Sequence, residues 1–510
     1  MKSIHFPSVL VTLLTPAAFA AATPCEDLGK LAFPHTKITL AQTVPAGTFT
    51  PPAQANGKGP DPVFKTLPAF CRVTATITPV NDSEIKIEVW LPASVGNGGW
   101  NGRFEAVGNG GWSGNIGLNN LGAAVAEGYA AAGTNTGHDS NNSEFTFGHL
   151  ERLIDFAYRA VHETTVQGKS IIKAFYGEAP KFSYWNACST GGRQGLSAAQ
   201  RFPQDFDGII AGAPANPMTR LHAGSMWNTL AAHKEEGSYI PPAKYPAIHK
   251  AALDACDALD GLKDGLIGDP TKCHFDPQTI QCKNGDSDTC LTAPQVESLR
   301  KAYSGAVNPR TKEQIFPGWE PGFELGLRVT AGPQPENNAI DTFRAVLQKP
   351  DWDWRTLNFD SDIAATDKAG NATINAADPA KLKDFFGKHG KLLMFHGWAD
   401  PNIAPRNSVN YYQKVVAAVG DRQASDSIRL FMAPGMGHCG GGEGPNTFDK
   451  MRVIAEWVEK GKPPSSIVAS HATSGVVDRT RPLCAYPQVA QYNGTGSIDD
   501  AANFACKEPK

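Results

Sequence analysis

From Ser183 to Pro203 the chain reads SYWNACSTGGRQGLSAAQRFP. This is a short strand, a tight turn of small residues and the opening of a helix. A strand that enters a helix through so sharp a turn pushes the turn residue, here Ser189, outward, and it needs small neighbours because larger side chains would clash. The local string Ala187-Cys188-Ser189-Thr190-Gly191-Gly192 departs from G-x-S-x-G only in having Ala for the first Gly. Two readings compete: a serine nucleophile held at an elbow, and a serine that merely caps the helix.

The surrounding sequence repeats the alternation of strand and helix. CRVTATITPVNDSEIKIEVWLP alternates apolar and polar residues as two strands around an Asn-Asp turn. GRFEAVGNGGWSG reads as a strand entering a glycine loop, and AVAEGYAAAGTNTGH as a helix followed by a small-residue strand. LIDFAYRAVHETTVQGKSIIKAFYG carries apolar residues at helical spacing, and FDGIIAGAPA reads as a buried strand. From about Asn216 cysteines, Asp-Gly pairs, Trp and Pro accumulate without regular alternation. Strand character returns at KLLMFHGWADPNIAP, followed by SVNYYQKVVAAVG, SIRLFMAPGMGHC and TFDKMRVIAEWVEKG as helix, strand and helix. Alternation of this kind predicts an α/β fold with a largely parallel sheet, interrupted by an insertion over residues 217–375.

Two later loops favour the nucleophile. In an α/β-hydrolase the triad follows the chain order Ser, acid, His. Asp400 lies in the loop beyond one late strand and His438 in a glycine loop beyond the next. A histidine is needed to take the serine proton, and an acid to hold the imidazole in the right tautomer and stabilise its charge. His396 and Asp421 are lesser candidates: His396 ends a strand as a structural histidine would, and Asp421 sits in a Gly-Asp turn. For the oxyanion, one donor is expected from the N–H of Thr190 and a second from the AVGNGGWSG loop, with Gly110 the first choice and Gly111 the next.

The N-terminus has the marks of a secretory signal over residues 1–20: Lys2, the apolar run FPSVLVTLL and AFA ending at Ala20. That run is short for a membrane span, and no later segment is longer and more apolar, so a soluble exported protein is expected, extracellular or periplasmic. The net charge of −3 gives no case for nucleic acid or an anionic membrane. Ten cysteines in an exported chain suggest disulfides. Proximity suggests Cys25 with Cys71, Cys256 with Cys273, Cys282 with Cys290 and Cys484 with Cys506. That leaves Cys188 and Cys439, which flank Ser189 and His438, although sequence alone does not fix the pairing.

CDALDGLKDGLIGDP gathers Asp257, Asp260, Asp264 and Asp269 among glycines that oppose a continuous helix. Carboxylates on such a loop suit Ca²⁺, which takes six to eight oxygens, and equally suit a solvated acidic turn. The spacing is not that of an EF-hand.

Cys188-Ser189, Asp400 and His438-Cys439 together resemble the mark of the tannase and feruloyl esterase family, which includes a hydrolase of mono(2-hydroxyethyl) terephthalate. The resemblance spans nearly the whole mature chain and implies an α/β-hydrolase fold with a large inserted lid, with the catalytic domain over 21–216 and 376–510. It implies Ser189 as nucleophile, His438 as base, Asp400 as its orienting acid, and a Cys188–Cys439 bond. It also implies Ca²⁺ in the lid, held by the side chains of Asp257, Asp260 and Asp264 and the carbonyls of Leu262 and Leu266. The implied activity is hydrolysis of a small aromatic ester of feruloyl or tannin type through an acyl-enzyme. A terephthalate monoester hydrolase is an alternative and would need a cation for the free carboxylate, with Arg328, Arg344 and Arg355 in and around the lid. An inactive calcium-stabilised binding protein on the same scaffold is an alternative of another class. Phe316, Trp319 and Phe323 are candidates for the acyl pocket, or else lid core.

Overall fold

The structure, a computed structural model, describes residues 22–52, 61–96, 98–233 and 235–509. The segment expected as a signal, 1–20, lies outside the described residues. One nine-stranded sheet organises the chain. Its first seven strands are β1 (Thr36–Val44), β2 (Phe70–Ile77), β3 (Ile85–Pro92), β4 (Arg103–Val107), β5 (Ala130–Thr134), β6 (Phe182–Cys188) and β7 (Gly208–Gly212). An insertion with a short ribbon, β8 (Ala306–Val307) and β9 (Gln314–Phe316), precedes β10 (Lys391–Gly397) and β11 (Ile428–Ala433). The sheet order is β1-β2-β3-β5-β4-β6-β7-β10-β11. β1, β2, β3 and β5 pair antiparallel in turn, and from β5 through β4, β6, β7 and β10 to β11 every pairing is parallel. This is the α/β-hydrolase fold with an added edge strand.

The central strands read as unbroken apolar or small-residue runs because helices cover both faces of a parallel sheet. β5 and β7 are buried at every position, and β10 at all but its first. Alternate residues of β6 feed two cores. Trp185 joins Phe104, Leu196 and Ile209 on one face, and Tyr184 joins Ile210, Ile454 and Trp457 on the other. Glycine permits close packing here: a Cβ on Gly191 would stand 2.4 Å from that of Ala187, so a larger residue there would hold the helix Thr190–Arg201 off β6.

Between β7 and β10 lie the helices Met218–His233, Tyr245–Cys256, Ala293–Ser304, Asn337–Leu347 and Ser361–Ala372. They bury two clusters, one around Leu221, Ile248, Leu299, Phe316, Trp319 and Phe323 and another around Phe343, Trp352 and Ile363. Phe316, Trp319 and Phe323 are at most 2% exposed, which makes them packing residues of the insertion. After the helix Lys450–Lys460, the hairpins β12 (Ser466–Thr473) with β13 (Val476–Cys484) and β14 (Val489–Tyr492) with β15 (Phe504–Lys507) close the chain.

The cysteines form five bonds: Cys25–Cys71, Cys188–Cys439, Cys256–Cys273, Cys282–Cys290 and Cys484–Cys506. Cys282 and Cys290 also lie close to Asp286, but sulfurs bonded to each other are not thiolate ligands. No helix among the described residues is long and apolar enough to cross a membrane.

Candidate active site

Because β4, β6, β10 and β11 run parallel, their C-terminal ends open on one edge of the sheet. Each end delivers one part of the site. The Gly108–Gly111 loop follows β4, Ser189 follows β6, Asp400 lies three residues beyond β10, and His438 five beyond β11.

Ser189 stands at φ 63° and ψ −125°. A non-glycine residue there is strained by about 1–3 kcal/mol and persists only when its surroundings impose the conformation. The imposing bonds are Ser189 N–H to the Gly212 carbonyl (2.9 Å) and the Ser189 carbonyl accepting from Arg193 (3.1 Å) and Ala215 (3.0 Å). Ser189 makes no side-chain capping bond to its helix, so the cap reading finds no support in its contacts. Thr190 Oγ1 donates to the Gly111 carbonyl (3.0 Å), tying the helix start to the glycine loop. That loop is set by Gln194, whose Oε1 accepts from Asn109 N–H (3.1 Å). Space around the position of a Cβ on Gly110 is open. Thr190 begins the helix, where the first N–H groups have no intrahelical acceptor.

The Asp400 carboxylate accepts four hydrogen bonds. Oδ1 receives the N–H groups of Asn402 (2.7 Å) and Ile403 (3.1 Å). Oδ2 receives His438 Nδ1 (2.7 Å) and His396 Nε2 (3.0 Å). His396 Nε2 also faces the Ile403 carbonyl (3.1 Å), and its Nδ1 faces Ser408 Oγ (2.7 Å). Two acceptors at Nε2 place a proton there, and the hydrogen bond with Ser408 Oγ satisfies Nδ1. By the same logic His438 carries a proton on Nδ1, where it meets Asp400. Burial pushes the Asp400 carboxyl up, but the charge of His438 and the bonds from His396 and His438 outweigh it and hold it well below the usual carboxylate range. His396 therefore sits inside the acid–base assembly as a second donor to Asp400. Only the sheet brings it there, since a histidine ending a strand carries no such signal by itself. Asp421 begins an exposed helix, Asp421–Ser427, apart from these groups.

Ser189, His438, Gly110 and Thr190 line one cavity of about 600 Å³. The disulfide between Cys188 and Cys439 forms part of its wall, with Cα atoms 5.9 Å apart across a sequence separation of 251. Cys439 is itself at φ 63°. The insertion supplies Met218, Leu221, His222, Glu336 and Asn338, and the sheet side supplies Asn120, Asn186 and Lys450.

Residues 71–507 match the family described as tannase and feruloyl esterase. The chain belongs to that family. It is 38% identical to an uncharacterized esterase of Xanthomonas campestris pv. campestris, over 97% of this chain and 92% of the other. It is 33% identical to a probable feruloyl esterase B-2 of Aspergillus terreus, over 99% of this chain and all of that protein. The crystal structure of feruloyl esterase B from Aspergillus oryzae superposes with a TM-score of 0.87 at 30% identity, covering 95% of this chain and 99% of that one. The protein is a carboxylic ester hydrolase.

Two further features of the esterase were hidden in the sequence. Glu105, on β4 and 3% exposed, accepts from Asn186 Nδ2 (2.9 Å) just behind the cavity wall. Burial pushes its carboxyl up to about 7. Arg481 of β13 reaches the acidic loop, where it bonds Asp264 Oδ2 (2.7 Å), while Arg479 donates to the Asp264 carbonyl (3.1 Å). Within that loop Asp257 accepts from Asp264 and Gly265 N–H groups (3.1 and 3.0 Å). Burial pushes the Asp260 carboxyl up, and the neighbouring Asp264 and Asp257 carboxylates push it further. A Cβ on Gly268 would stand 2.5 Å from Asp260 Oδ2, so this glycine allows the loop to fold back on the carboxylate. Asp269 instead caps its own turn through Thr271 N–H (3.2 Å) and Oγ1 (2.6 Å). Asp257, Asp260 and Asp264 with the Leu262 and Leu266 carbonyls offer only oxygen donors, the type Ca²⁺ takes, but the three carboxylates do not converge on one point among the described residues, and Asp264 Oδ2 is paired with Arg481.

Proposed function

We propose that the chain is an exported serine esterase that cleaves esters of aromatic acids, of feruloyl esterase or tannase type, through an acyl-enzyme on Ser189. The observation that carries this reading is the saturated Asp400 carboxylate, which orients His438 in the cavity it shares with the strained Ser189. His438 Nε2 takes the Ser189 proton as Oγ attacks the ester carbonyl carbon. The N–H groups of Thr190 and Gly110 stabilise the oxyanion. Collapse breaks the ester bond, and His438 gives its proton to the departing alcohol. A water then loses its proton to His438 and attacks the acyl-enzyme; as the bond to Oγ breaks and the acid leaves, His438 returns that proton to Ser189 Oγ.

The insertion acts as a lid, since five of its residues complete the cavity. Asp257, Asp260 and Asp264 with the Leu262 and Leu266 carbonyls are the proposed Ca²⁺ ligands, and the ion's part there is to bind the loop together. Five disulfides support export. Arg328, Arg344 and Arg355 are not among the residues lining the cavity, but Lys450 is, so the terephthalate alternative keeps one cation in reach.

The test is a panel of methyl ferulate, methyl gallate, mono(2-hydroxyethyl) terephthalate and p-nitrophenyl butyrate, with wild type beside Ser189→Ala. Turnover of an aromatic ester that disappears in the variant is the expected result. Folded, calcium-loaded wild type that turns over none of them would favour a binding protein instead.

A further inference from the structure

The cavity wall supplied by the insertion is polar in a particular way. Glu336 immediately precedes the helix Asn337–Leu347 and sits half-buried on the wall beside Asn338. Burial pushes its carboxyl up, while Ser225 and Asn338 side chains pull against that rise. Across the same wall His222, from the helix Met218–His233, is 4% exposed. Its Nδ1 is buried without a hydrogen-bond partner, and burial lowers the ring to about pKa 3, so it is neutral. An unpaired buried nitrogen of this kind costs stability, and the His222 ring lines the same cavity as Glu336 and Asn338. Met218 and Leu221 supply apolar contact alongside them.

This wall is anchored to the oxyanion loop. Trp112 Nε1 donates to the Asn338 carbonyl and to Thr342 Oγ1, each at 3.2 Å. Ser143 Oγ donates to Asp341 Oδ1 (3.0 Å). The Asn338 carboxamide oxygen lies 3.3 Å from where a Cβ on Gly111 would be. An acyl group whose carbonyl oxygen sits by Gly110 and Thr190 thus extends past a fixed carboxylate, amide and imidazole.

On the reading of Ser189 as nucleophile, we propose that Glu336, His222 and Asn338 form a subsite that binds ring hydroxyl groups of the acyl moiety and rejects rings bearing a second carboxylate. A phenolic O–H donates to Glu336, Asn338 pairs with the ring oxygens, and the His222 ring packs alongside. O-methylation removes the donor, and a carboxylate on the ring meets Glu336 as a like charge.

The test compares kcat/KM on methyl ferulate, methyl 3,4-dimethoxycinnamate and the monomethyl ester of terephthalic acid. Methanol leaves in every case, so only the acyl side varies. Wild type is expected to prefer ferulate over its O-methylated analogue about 10- to 100-fold, the range of one hydrogen bond to a charged group. Glu336→Leu should bring that ratio near one. Glu336→Gln keeps an acceptor and should retain part of the ratio, while raising turnover of the terephthalate ester about 10-fold. A folding defect lowers all three rates together and leaves the ratio unmoved, and Asn338→Ala gives a second measure should Glu336→Leu fold poorly. A wild-type ratio near one, or a ratio unchanged in Glu336→Leu and Asn338→Ala, overturns the subsite. Ser189→Ala run in parallel separates the two failures: persistent turnover there would overturn the acyl-enzyme reading itself.

Discussion

Removing the Cys188–Cys439 bond in a Cys188→Ala/Cys439→Ala double variant tests whether the cross-link serves the site or only the fold. The bond closes a loop with a sequence separation of 251. Loop-closure entropy at that length amounts to about 5.5 kcal/mol at 25 °C. The bonds Cys256–Cys273 and Cys282–Cys290 lie within this loop and shorten it by 17 and 8 residues, which the logarithmic dependence hardly registers. With an unfolding entropy near 2.1 cal/mol/K per residue, a chain of this size should lose about 5 °C in Tm. The catalytic effect is separate. Ser189 and Cys439 both stand at φ 63°, and Cys188 and Cys439 form part of the cavity wall. Without the bond, the elbow and the histidine loop are held in strained conformations by backbone contacts alone. A misplacement of about 1 Å between reacting groups costs roughly 100-fold in rate, so kcat at 25 °C should fall about 10- to 100-fold in a variant that is still folded. The assays are calorimetric unfolding and initial rates on methyl ferulate well below Tm. Lower Tm with unchanged kcat would refute the preorganisation reasoning, and an unchanged Tm would refute the loop-entropy reasoning.

Asp400→Asn removes the acceptor that sets the His438 tautomer, so kcat should fall about 10⁴-fold. His396→Leu leaves Asp400 Oδ2 with one donor fewer, and its loss, read as kcat on methyl ferulate, should be far smaller, about 10-fold. Glu105 is shifted upward from 4.5 to about 7 by burial. Its stabilising effect is therefore whole below pH 4.5 and disappears as pH rises to 7, a change of about 3 kcal/mol at 1.36 kcal/mol per unit. Glu105→Gln keeps the acceptor for Asn186 and should flatten this part of the stability–pH curve, as measured by urea unfolding at stepped pH. Chelation of Ca²⁺ should lower Tm in wild type, and an Asp260→Asn variant should begin lower and respond less, as read by differential scanning fluorimetry with and without EGTA.

Short-range patterns made much of this esterase legible. β2 through β7, β10 and β11 follow from alternation or from apolar runs between glycine and proline turns. The strand, small-residue turn and helix around Ser189 are local chemistry, as are the loops that present Asp400 and His438. β1 was not read, because TKITLAQTV mixes polar and apolar residues on a half-exposed edge strand. The hairpins after Lys460 escaped for a similar reason, since residues Val476–Asp478 of β13 are exposed on both faces.

Sequence alone picked out Ser189, Asp400 and His438 as the candidates for the chemistry, because each is marked by the turn that holds it. What surrounds them was decided by the tertiary structure. His396 becomes a donor to Asp400 only because the loop after β10 folds back over its own strand end. Arg481 meets Asp264 across a sequence separation of 217. Glu336 and His222 face the Ser189 cavity only once the insertion docks on the glycine loop through Trp112. Phe316, Trp319 and Phe323 turn inward because the insertion must bury a core of its own. Patterns along the chain record what each segment hides from water. Which segments then share a cavity depends on the order of the parallel strands, and the spacing of residues in sequence does not encode that order.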